Sequence, residues 1–295
     1  MPNRKLVMIT NDDSVHSRGL VQLAEAAAKY AEVIVVAPET PQSATALSLT
    51  YHKPLRVSKV VMARIRAYAV SGSPGDCVMI GVNKLLPRRP DLIASGINMG
   101  DNDSYQDVLA SGTVAAALEA AITGIPAIAF SMEMRDEELA ALEPERVDFT
   151  GATLVAAELI RDVLEHGMPS GAELLNVNFP SKLDSQTKIA LTTLARRKYT
   201  DRVLVRKDPH GRPYYWLFGE KLRDFPGSTD VEALVTKRQI SVTPIALNMS
   251  GPITDDLEGM RERVERRLEG PKSATRRRGY MAPRQKEERT GIGGR

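Results

Sequence analysis

Short apolar runs alternate with segments of helical periodicity along the chain, and this alternation constrains the fold more than any other feature. Residues 6–9 form the first apolar run, residues 19–31 place apolar side chains at helical spacing, and residues 33–37 form the second run. Parallel strands need a crossover of this kind, and the crossover is right-handed in nearly all proteins. The opening of the chain therefore predicts a right-handed βαβ unit.

The same alternation continues to about residue 185. Further strands are predicted at residues 65–70, 91–95, 127–131 and 174–178. Further helices are predicted at residues 76–86, 111–123 and 150–164. Strands that alternate with helices are typical of α/β proteins, so we expect a doubly wound, mostly parallel sheet.

The pattern changes after about residue 185. Residues 192–206 and 212–218 are predicted to be two extended arms, joined at Asp208-Pro209-His210-Gly211, which is a typical hairpin turn sequence. Beyond them we predict a short helix, a strand and a charged amphipathic helix at residues 230–237, 240–246 and 254–268. The second part of the chain therefore differs in architecture from the first.

Composition excludes several classes of protein. Hydrophobic residues make up 42% of the chain and charged residues 26%, which favours a folded core over disorder. No apolar run approaches the roughly 18–20 residues needed to span a bilayer. Cys77 is the single cysteine, so no disulfide can form within one chain. With no export signal in view, a cytoplasmic location is expected.

Charge is unevenly distributed. Residues 271–295 contain eight Lys or Arg and two Glu, a net charge of +6, so a total of +3 leaves the remainder near −3. Such a tail could bind nucleic acid or a membrane surface, but a solvated terminus is the simpler interpretation. We therefore expect neither nucleic acid nor a membrane as a partner.

An acidic pair follows the first predicted strand. Asp12 and Asp13 are adjacent carboxylates, and such a pair after a buried strand needs a cation or a proton to be stable. Carboxylate oxygens suit Mg²⁺ or Mn²⁺. The alternative interpretation is a helix N-cap beside a solvated acid, because Asp favours both positions.

Two further polar loops follow later strands. Residues 38–50 are rich in hydroxyl groups, and Ser43 could reach a metal or a phosphate beside Asp12. Asn98 offers a neutral oxygen, and Ser111 can cap a helix whose free N–H groups form an anion site. Ligands bind beyond the carboxyl ends of parallel strands, so we expect these loops to form one metal and phosphate site.

The chain also resembles a known family, the SurE stationary-phase survival nucleotidases. The matching segments are TNDD at 10–13, VVAPETPQS at 35–43, GSPGDCV at 72–78, SGINMGDN at 95–102, SGTVAAALEA at 111–120, NVNFP at 176–180, DPHGRPYYW at 208–216, STD at 228–230 and SVTP at 241–244. The resemblance implies a Rossmann-like three-layer α/β/α core with a protruding β-hairpin and a C-terminal extension. It also implies a cytoplasmic 5′- and 3′-nucleotidase with some exopolyphosphatase activity, which forms homodimers or homotetramers.

The resemblance assigns roles to residues. It implies one divalent metal cation per subunit, Mg²⁺ or Mn²⁺, held by Asp12, Asp13, Ser43 and Asn98. It implies a phosphate site formed by Ser43, Asn98, Ser111, Gly112 and Thr113. The domains expected are a catalytic core at residues 1–185, a hairpin arm with the elements that complete the fold and the oligomer interface at 186–250, and a C-terminal helix with a basic tail at 251–295.

The chain departs from the family's usual pattern at four places. Ser14 and Ala44 stand where the family usually has glycine, Ala110 stands where a tyrosine often occurs, and GSP at 72–74 replaces GTP. If those glycines adopt positive φ, then Ser14 and Ala44 introduce strain near the site.

The resulting functional prediction is a metal-dependent phosphomonoesterase that hydrolyses nucleoside monophosphates. The alternative is a catalytically weak nucleotide-binding protein of the same fold. A receiver domain is excluded because it needs an Asp and a Lys at later strand ends, where this chain has Ser95 and Ser131. Direct attack by water is favoured over an aspartyl-phosphate on Asp12 or Asp13. His16 is a candidate proton donor, although a surface histidine is the simpler interpretation.

Overall fold

The computed structural model describes residues 4–134 and 147–269. The chain divides into two compact units, Met1–Leu247 and Asn248–Arg295. The basic tail at residues 271–295 lies outside the described residues. None of the helices in the described ranges combines the length and apolarity needed to cross a bilayer.

Eleven strands are present in the described part of the chain. They are β1 (Leu6–Thr10), β2 (Glu32–Pro38), β3 (Val57–Met62), β4 (Ile65–Val70), β5 (Leu92–Met99), β6 (Ala127–Met132), β7 (Leu174–Phe179), β8 (Ile189–Leu191), β9 (Arg202–Lys207), β10 (Pro213–Phe218) and β11 (Ile240–Ile245). Nine of them form one sheet in the order β3-β4-β2-β1-β5-β6-β7-β11-β8. Its centre, from β4 through β2, β1, β5 and β6 to β7, is parallel, while β3 and β11 pair antiparallel to β4 and β7.

Helices cover both faces of this sheet. They are α1 (Arg18–Ala27), α2 (Pro74–Ile80), α3 (Ser104–Ala110), α4 (Gly112–Ile122) and α5 (Thr150–His166). Two π-helical turns lie at Gly81–Leu85 and Glu232–Thr236. Buried apolar residues of α1 and α5 form a cluster on one face, and those of α2 and α4 form a cluster on the other. The predicted α/β class is thereby confirmed.

The central strands are buried along their whole length and are mostly apolar, because both of their faces are covered. Every residue of β1, β6 and β7 is buried. Continuous apolar runs of this kind are typical of parallel strands between two helical layers. Cys77 in α2 belongs to this core, and its burial raises the pKa of the thiol. The cysteine therefore has a packing role.

Three elements lie where the sequence pattern predicted none. β3 is an edge strand in which only Met62 is buried, β8 has three residues with no buried side chain, and α3 begins inside a loop that was interpreted as polar. Each lacks the apolar periodicity on which the prediction depended. The predicted helix at 76–86 is also divided, because α2 ends at Ile80 and a π-helical turn follows.

The predicted arms form an antiparallel two-stranded sheet, β9 with β10. Asp208 closes its turn by accepting hydrogen bonds from the backbone N–H groups of His210 and Arg212, at 2.8 and 2.9 Å. The apolar side chains of Val205, Trp216 and Leu217 are exposed on this hairpin. The second unit contains α6 (Asp255–Glu269), with Leu257, Met260, Val264 and Leu268 exposed along it.

Candidate active site

The three predicted loops meet because of the strand order. β1 lies between β2 and β5 and is parallel to both, so the loops after these strands emerge at one edge of the sheet. Asp12 and Asp13 follow β1, Ser43 follows β2, and Asn98 lies at the end of β5. The site thus forms beyond the carboxyl ends of the strands, as expected for an open α/β sheet.

The side chain of Asp12 is fixed by a hydrogen bond from α4. The side chain is 4% exposed, and its Oδ1 accepts a hydrogen bond from the hydroxyl of Thr113, which is fully buried. The backbone carbonyl of Asp12 accepts from the N–H of Gln42 at 2.7 Å, which ties the loop after β2 to the acidic pair. Burial raises the pKa of Asp12, and the hydrogen bond from Thr113 opposes that rise.

The beginning of α4 approaches Asp12 closely. Ser111 caps the helix, and its Oγ accepts from the N–H of Val114 at 3.1 Å. A β-carbon placed on Gly112 would lie 2.8 Å from Cβ of Asp12 and 2.9 Å from its Oδ2. Only glycine fits at this distance, so the positive end of the helix dipole lies against the carboxylate.

Asp13 is less buried and is fixed by β5. Its Oδ2 accepts from the backbone N–H of Met99 at 3.1 Å. Burial, and after it the charge of Asp12, raises the pKa of Asp13 to about 7. Two adjacent carboxylates in this position repel each other, and a bound cation or a proton relieves that repulsion.

Asn98 and Ser43 complete the group of oxygen donors. The Nδ2 of Asn98 donates to the carbonyl of Gly100 at 2.7 Å, which leaves Oδ1 as an acceptor. Ser43 is exposed on the loop after β2. Carboxylate, amide and hydroxyl oxygens are the ligands that Mg²⁺ and Mn²⁺ prefer, so the donor set fits the predicted metal.

The fit depends on neutral oxygens as well as carboxylates. Residues 4–134 and 147–269 bring together no group of three or more His, Cys, Asp or Glu side chains suited to a metal. The predicted set has two such side chains, Asp12 and Asp13, with Ser43 and Asn98 as neutral partners. Mg²⁺ accepts such a set because it usually keeps several water molecules.

A cleft of about 330 Å³ opens over these residues. Four of the predicted site residues line it: Asp12, Ser43, Asn98 and Ser111. Asp13 adjoins it through Met99, whereas Gly112 and Thr113 lie behind Asp12. The start of α4 therefore contributes to the cleft in two ways: Ser111 lines it, and Gly112 and Thr113 contact Asp12.

Sequence reasoning missed three ionisable side chains of this cleft. Asp101, Asp107 and Tyr199 also line it. Asp107 belongs to the unpredicted helix α3, and Tyr199 comes from the beginning of the hairpin arm, far away in sequence. No local pattern indicates such a contact, although Asp101 does lie within the SGINMGDN segment.

The two residues that stand where the family usually has glycine, Ser14 and Ala44, both have positive φ. Ser14 has φ of 93° and Ala44 has φ of 56°. Residues with a β-carbon are strained in this region by about 1–2 kcal/mol. The loops after β1 and β2 thus keep a conformation that glycine would adopt at lower cost.

His16 does not lie in the cleft. The side chain is exposed, and its backbone N–H donates to the Oγ of Ser14 at 3.4 Å. This placement agrees with a surface histidine and gives no support to His16 as a proton donor.

A larger cavity, about 790 Å³, lies elsewhere on the first unit. Three of its charged side chains pair, since Glu133 forms an ion pair with Arg238 and lies 3.9 Å from Nζ of Lys221. Because it lacks the buried carboxylate pair and the helix start, we assign the candidate active site to the smaller cleft.

Comparison with known proteins identifies the family of the chain. The family model described as "Survival protein SurE" matches residues 7–201. A protein of Hyperthermus butylicus named 5′-nucleotidase SurE is 40% identical over 282 residues, which are 93% of this chain and 99% of the relative. A protein of Methanocella arvoryzae with the same name is 43% identical over 246 residues, covering 83% of this chain and 92% of the relative.

A solved structure shares the architecture. The crystal structure of the SurE protein from Aquifex aeolicus matches with a TM-score of 0.73 and 32% identity, over 88% of this chain and 99% of that chain. The resemblance found in the sequence is therefore confirmed, and the chain belongs to the SurE family.

Proposed function

We propose that this chain is a divalent-metal-dependent 5′-nucleotidase, which hydrolyses nucleoside 5′-monophosphates to nucleoside and phosphate. The observation that carries the proposal is the adjacent carboxylate pair: Asp12 is buried and lines the cleft beside the start of α4, and Asp13 is half-buried next to it. The relatives named 5′-nucleotidase SurE support the same activity.

We propose Asp12, Asp13, Ser43 and Asn98 as the residues that hold the cation. A divalent cation, when bound, supplies positive charge to a phosphoryl oxygen and lowers the pKa of a bound water. The protein itself positions the carboxylates and the phosphate. Thr113 and Met99 fix the two carboxylates, and the cleft confines the phosphate beside them.

The phosphate is proposed to lie against Ser43, Asn98 and the Ser111-Gly112-Thr113 start of α4. Ser43 and Ser111 present hydroxyl groups at the cleft. The hydroxyl of Thr113 is already donated to Asp12, so the contribution of Thr113 comes through the helix N-terminus. Preorganised donors of this kind stabilise charge that develops on the phosphoryl group.

Direct attack by water is the preferred mechanism. The water oxygen forms the new bond to phosphorus as the bond to the nucleoside oxygen breaks, and the proton lost by the water balances the one gained by the nucleoside. Both carboxylates are occupied by hydrogen bonds and by the proposed cation, which makes them poor nucleophiles. An aspartyl-phosphate is therefore the less favoured mechanism.

Several finer features belong to the same proposal. We include nucleoside 3′-monophosphates as substrates, Mg²⁺ or Mn²⁺ as the cation, and a cytoplasmic location. The alternative function is a catalytically weak nucleotide-binding protein. Ser14 and Ala44 motivate this alternative, because their positive φ strains the two loops that carry presumed ligands.

Assembly into a homodimer or homotetramer is also part of the proposal. The hairpin exposes apolar side chains that a second copy of the chain could cover, with Val203, Val205, Tyr215 and Leu217 on one face and Trp216 on the other. Light scattering of the wild type and of Trp216→Ser tests this, and a wild-type mass equal to one chain contradicts it.

The deciding experiment measures phosphate release from a panel of 5′- and 3′-mononucleotides, with Mn²⁺, Mg²⁺ or a chelator. The wild type is compared with Asp12→Asn, and His16→Asn serves as a matched control on the same loop. Metal-dependent release that Asp12→Asn abolishes and His16→Asn keeps supports the proposal. Nucleotide binding without release from any substrate would favour the binding protein instead.

A further inference from the structure

A second group of carboxylates lies next to the candidate active site. Asp101 and Asp103 follow Asn98 on the same loop, and both form ion pairs with Lys198. The separation between Nζ of Lys198 and Oδ1 of Asp103 is 3.0 Å. Lys198 and Asp103 are each fully buried, whereas Asp101 reaches the cleft. We call Lys198, Asp101 and Asp103 the lysine cluster.

The position of Lys198 is unusual for a lysine. A buried ammonium group loses its hydration, and that loss amounts to several kcal/mol unless carboxylates compensate it. Asp101 supplies the compensating charge, with Asp103 as a second oxygen partner, and the two carboxyl groups raise the pKa of Lys198, so the side chain remains protonated. Since an apolar side chain would fill the same space at lower cost, packing alone does not explain a lysine here.

Lys198 connects the arm to the loop that carries Asn98. Its carbonyl accepts from the N–H of Leu222 at 2.9 Å, which places Lys198 at the base of the arm. The next residue, Tyr199, lines the cleft, and the Nζ of Lys198 lies 5.6 Å from the centre of its ring. Lys198 thus contacts the arm base through its carbonyl, and its ammonium group contacts the loop and the ring of a cleft residue.

The loop itself connects the lysine cluster to the presumed metal ligands. Asn98 begins it, and the N–H of Met99 fixes Asp13. The N–H of Gly100 donates to the carbonyl of Met132 at 2.8 Å, so this part is anchored to the sheet. Asn102 is fixed to the sheet by hydrogen bonds with Asn178 and Ser131, at 2.7 Å each, and the side chain of Asp101 before it is held by Lys198.

We propose that Lys198 is a positioning residue for the metal site, which holds the 98–103 loop so that Asn98 and Asp13 face Asp12. The inference rests on the proposed function, because it assigns Lys198 a role in that same site. Lys198 does not contact substrate or metal, and it acts through Asp101 and Asp103.

The test compares the wild type with Lys198→Met, a side chain of similar length without charge. We expect the Mn²⁺ concentration for half-maximal activity to rise about tenfold, the scale typical for residues that orient metal ligands. The KM for the nucleotide at saturating Mn²⁺ should change less than about twofold. Mn²⁺ binding in the absence of nucleotide, measured by calorimetry, should weaken by the same factor.

Arg197→Met is the matched control. Arg197 is the adjacent residue, and it forms a surface ion pair with Asp201 at 2.9 Å. Its replacement should leave the Mn²⁺ dependence unchanged. A folded Lys198→Met protein with wild-type Mn²⁺ affinity overturns the inference.

A second variant covers the case in which Lys198→Met fails to fold. Lys198→Met with Asp101→Asn removes the lysine together with a carboxylate that it neutralises, and we expect the same rise in the Mn²⁺ requirement. Wild-type affinity in this double variant, or failure of both variants to fold, overturns the inference. If the wild type neither hydrolyses nucleotides nor binds Mn²⁺, the proposed function itself fails and this inference fails with it.

Discussion

Two groups of carboxylates lie close together in this protein, and the protein neutralises them differently. Asp101 and Asp103 are paired with the buried cation Lys198. Asp12 and Asp13 instead receive hydrogen bonds from Thr113 and Met99, and Asp12 lies against the start of α4. Carboxylates that are neutralised by a lysine of the protein have a structural role. Carboxylates that contact only neutral donors and a helix dipole are suited to bind an added cation.

The largest expected difference between the two groups concerns activity. We expect Asp12→Asn to lower kcat/KM by roughly a thousandfold, because a proposed metal ligand loses its charge while its hydrogen bond to Thr113 can persist. Asp103→Asn should lower kcat/KM by less than about tenfold. Steady-state kinetics with Mn²⁺ on both variants makes the comparison, and equal losses would contradict it.

The lysine cluster should also make stability depend on pH. Burial, and after it the charge of Asp101, raises the pKa of Asp103 to about 8 despite Lys198. The folded state therefore holds a proton that the unfolded state releases near pH 4. The contribution of Asp103 to the free energy of unfolding is therefore greatest below about pH 4. It falls as the pH rises to about 8, by at most about 1.4 kcal/mol per pH unit.

Urea unfolding of the wild type and Asp103→Asn between pH 5 and 8.5 measures this effect. The wild type should lose stability relative to the variant as pH rises. Asp201→Asn, on the exposed ion pair with Arg197, is the control and should follow the wild type. Parallel curves for all three proteins would show that Asp103 is ionised throughout.

Thr113 acts on Asp12 either through the hydrogen bond of its hydroxyl or only through packing, and two substitutions distinguish these roles. Thr113→Val keeps the shape of the buried side chain and removes the hydrogen bond, so we expect activity to fall about 10–100-fold. Thr113→Ser retains the hydroxyl and should keep most of the activity. Mn²⁺ titrations of both variants check this, and an equal loss in both would assign the effect to packing.

The smallest expected effect concerns the backbone. Each carboxylate group is followed by a serine at positive φ, Ser14 at 93° and Ser104 at 68°. Replacing either with glycine should raise the free energy of unfolding by about 1 kcal/mol. Ser17, with φ of −65°, is the control: it has no strain to relieve and its hydroxyl caps α1, so its replacement with glycine should lower the free energy of unfolding. Chemical denaturation of the three variants makes the measurement.

The sequence alone determined the central sheet and most of the candidate site. β1, β2, β5, β6 and β7 each contain an apolar run, because strands covered on both faces are mostly apolar. The polar loops after these strands were recognisable for the same reason, since a buried strand that ends abruptly in carboxylates or hydroxyls is conspicuous. Asp12, Ser43, Asn98 and Ser111 were found in this way, and all four line the cleft.

Only the tertiary structure decided which distant residues complete the cleft and what Thr113 does. Tyr199 and Lys198 reach the 98–103 loop because the arm base returns to the sheet edge, and no local periodicity encodes that contact. Thr113 was expected to contact phosphate, whereas its hydroxyl is donated to Asp12. Local apolar patterns set the strands and helices, but contacts between polar side chains far apart in sequence depend on packing, which the pattern of a single segment does not contain.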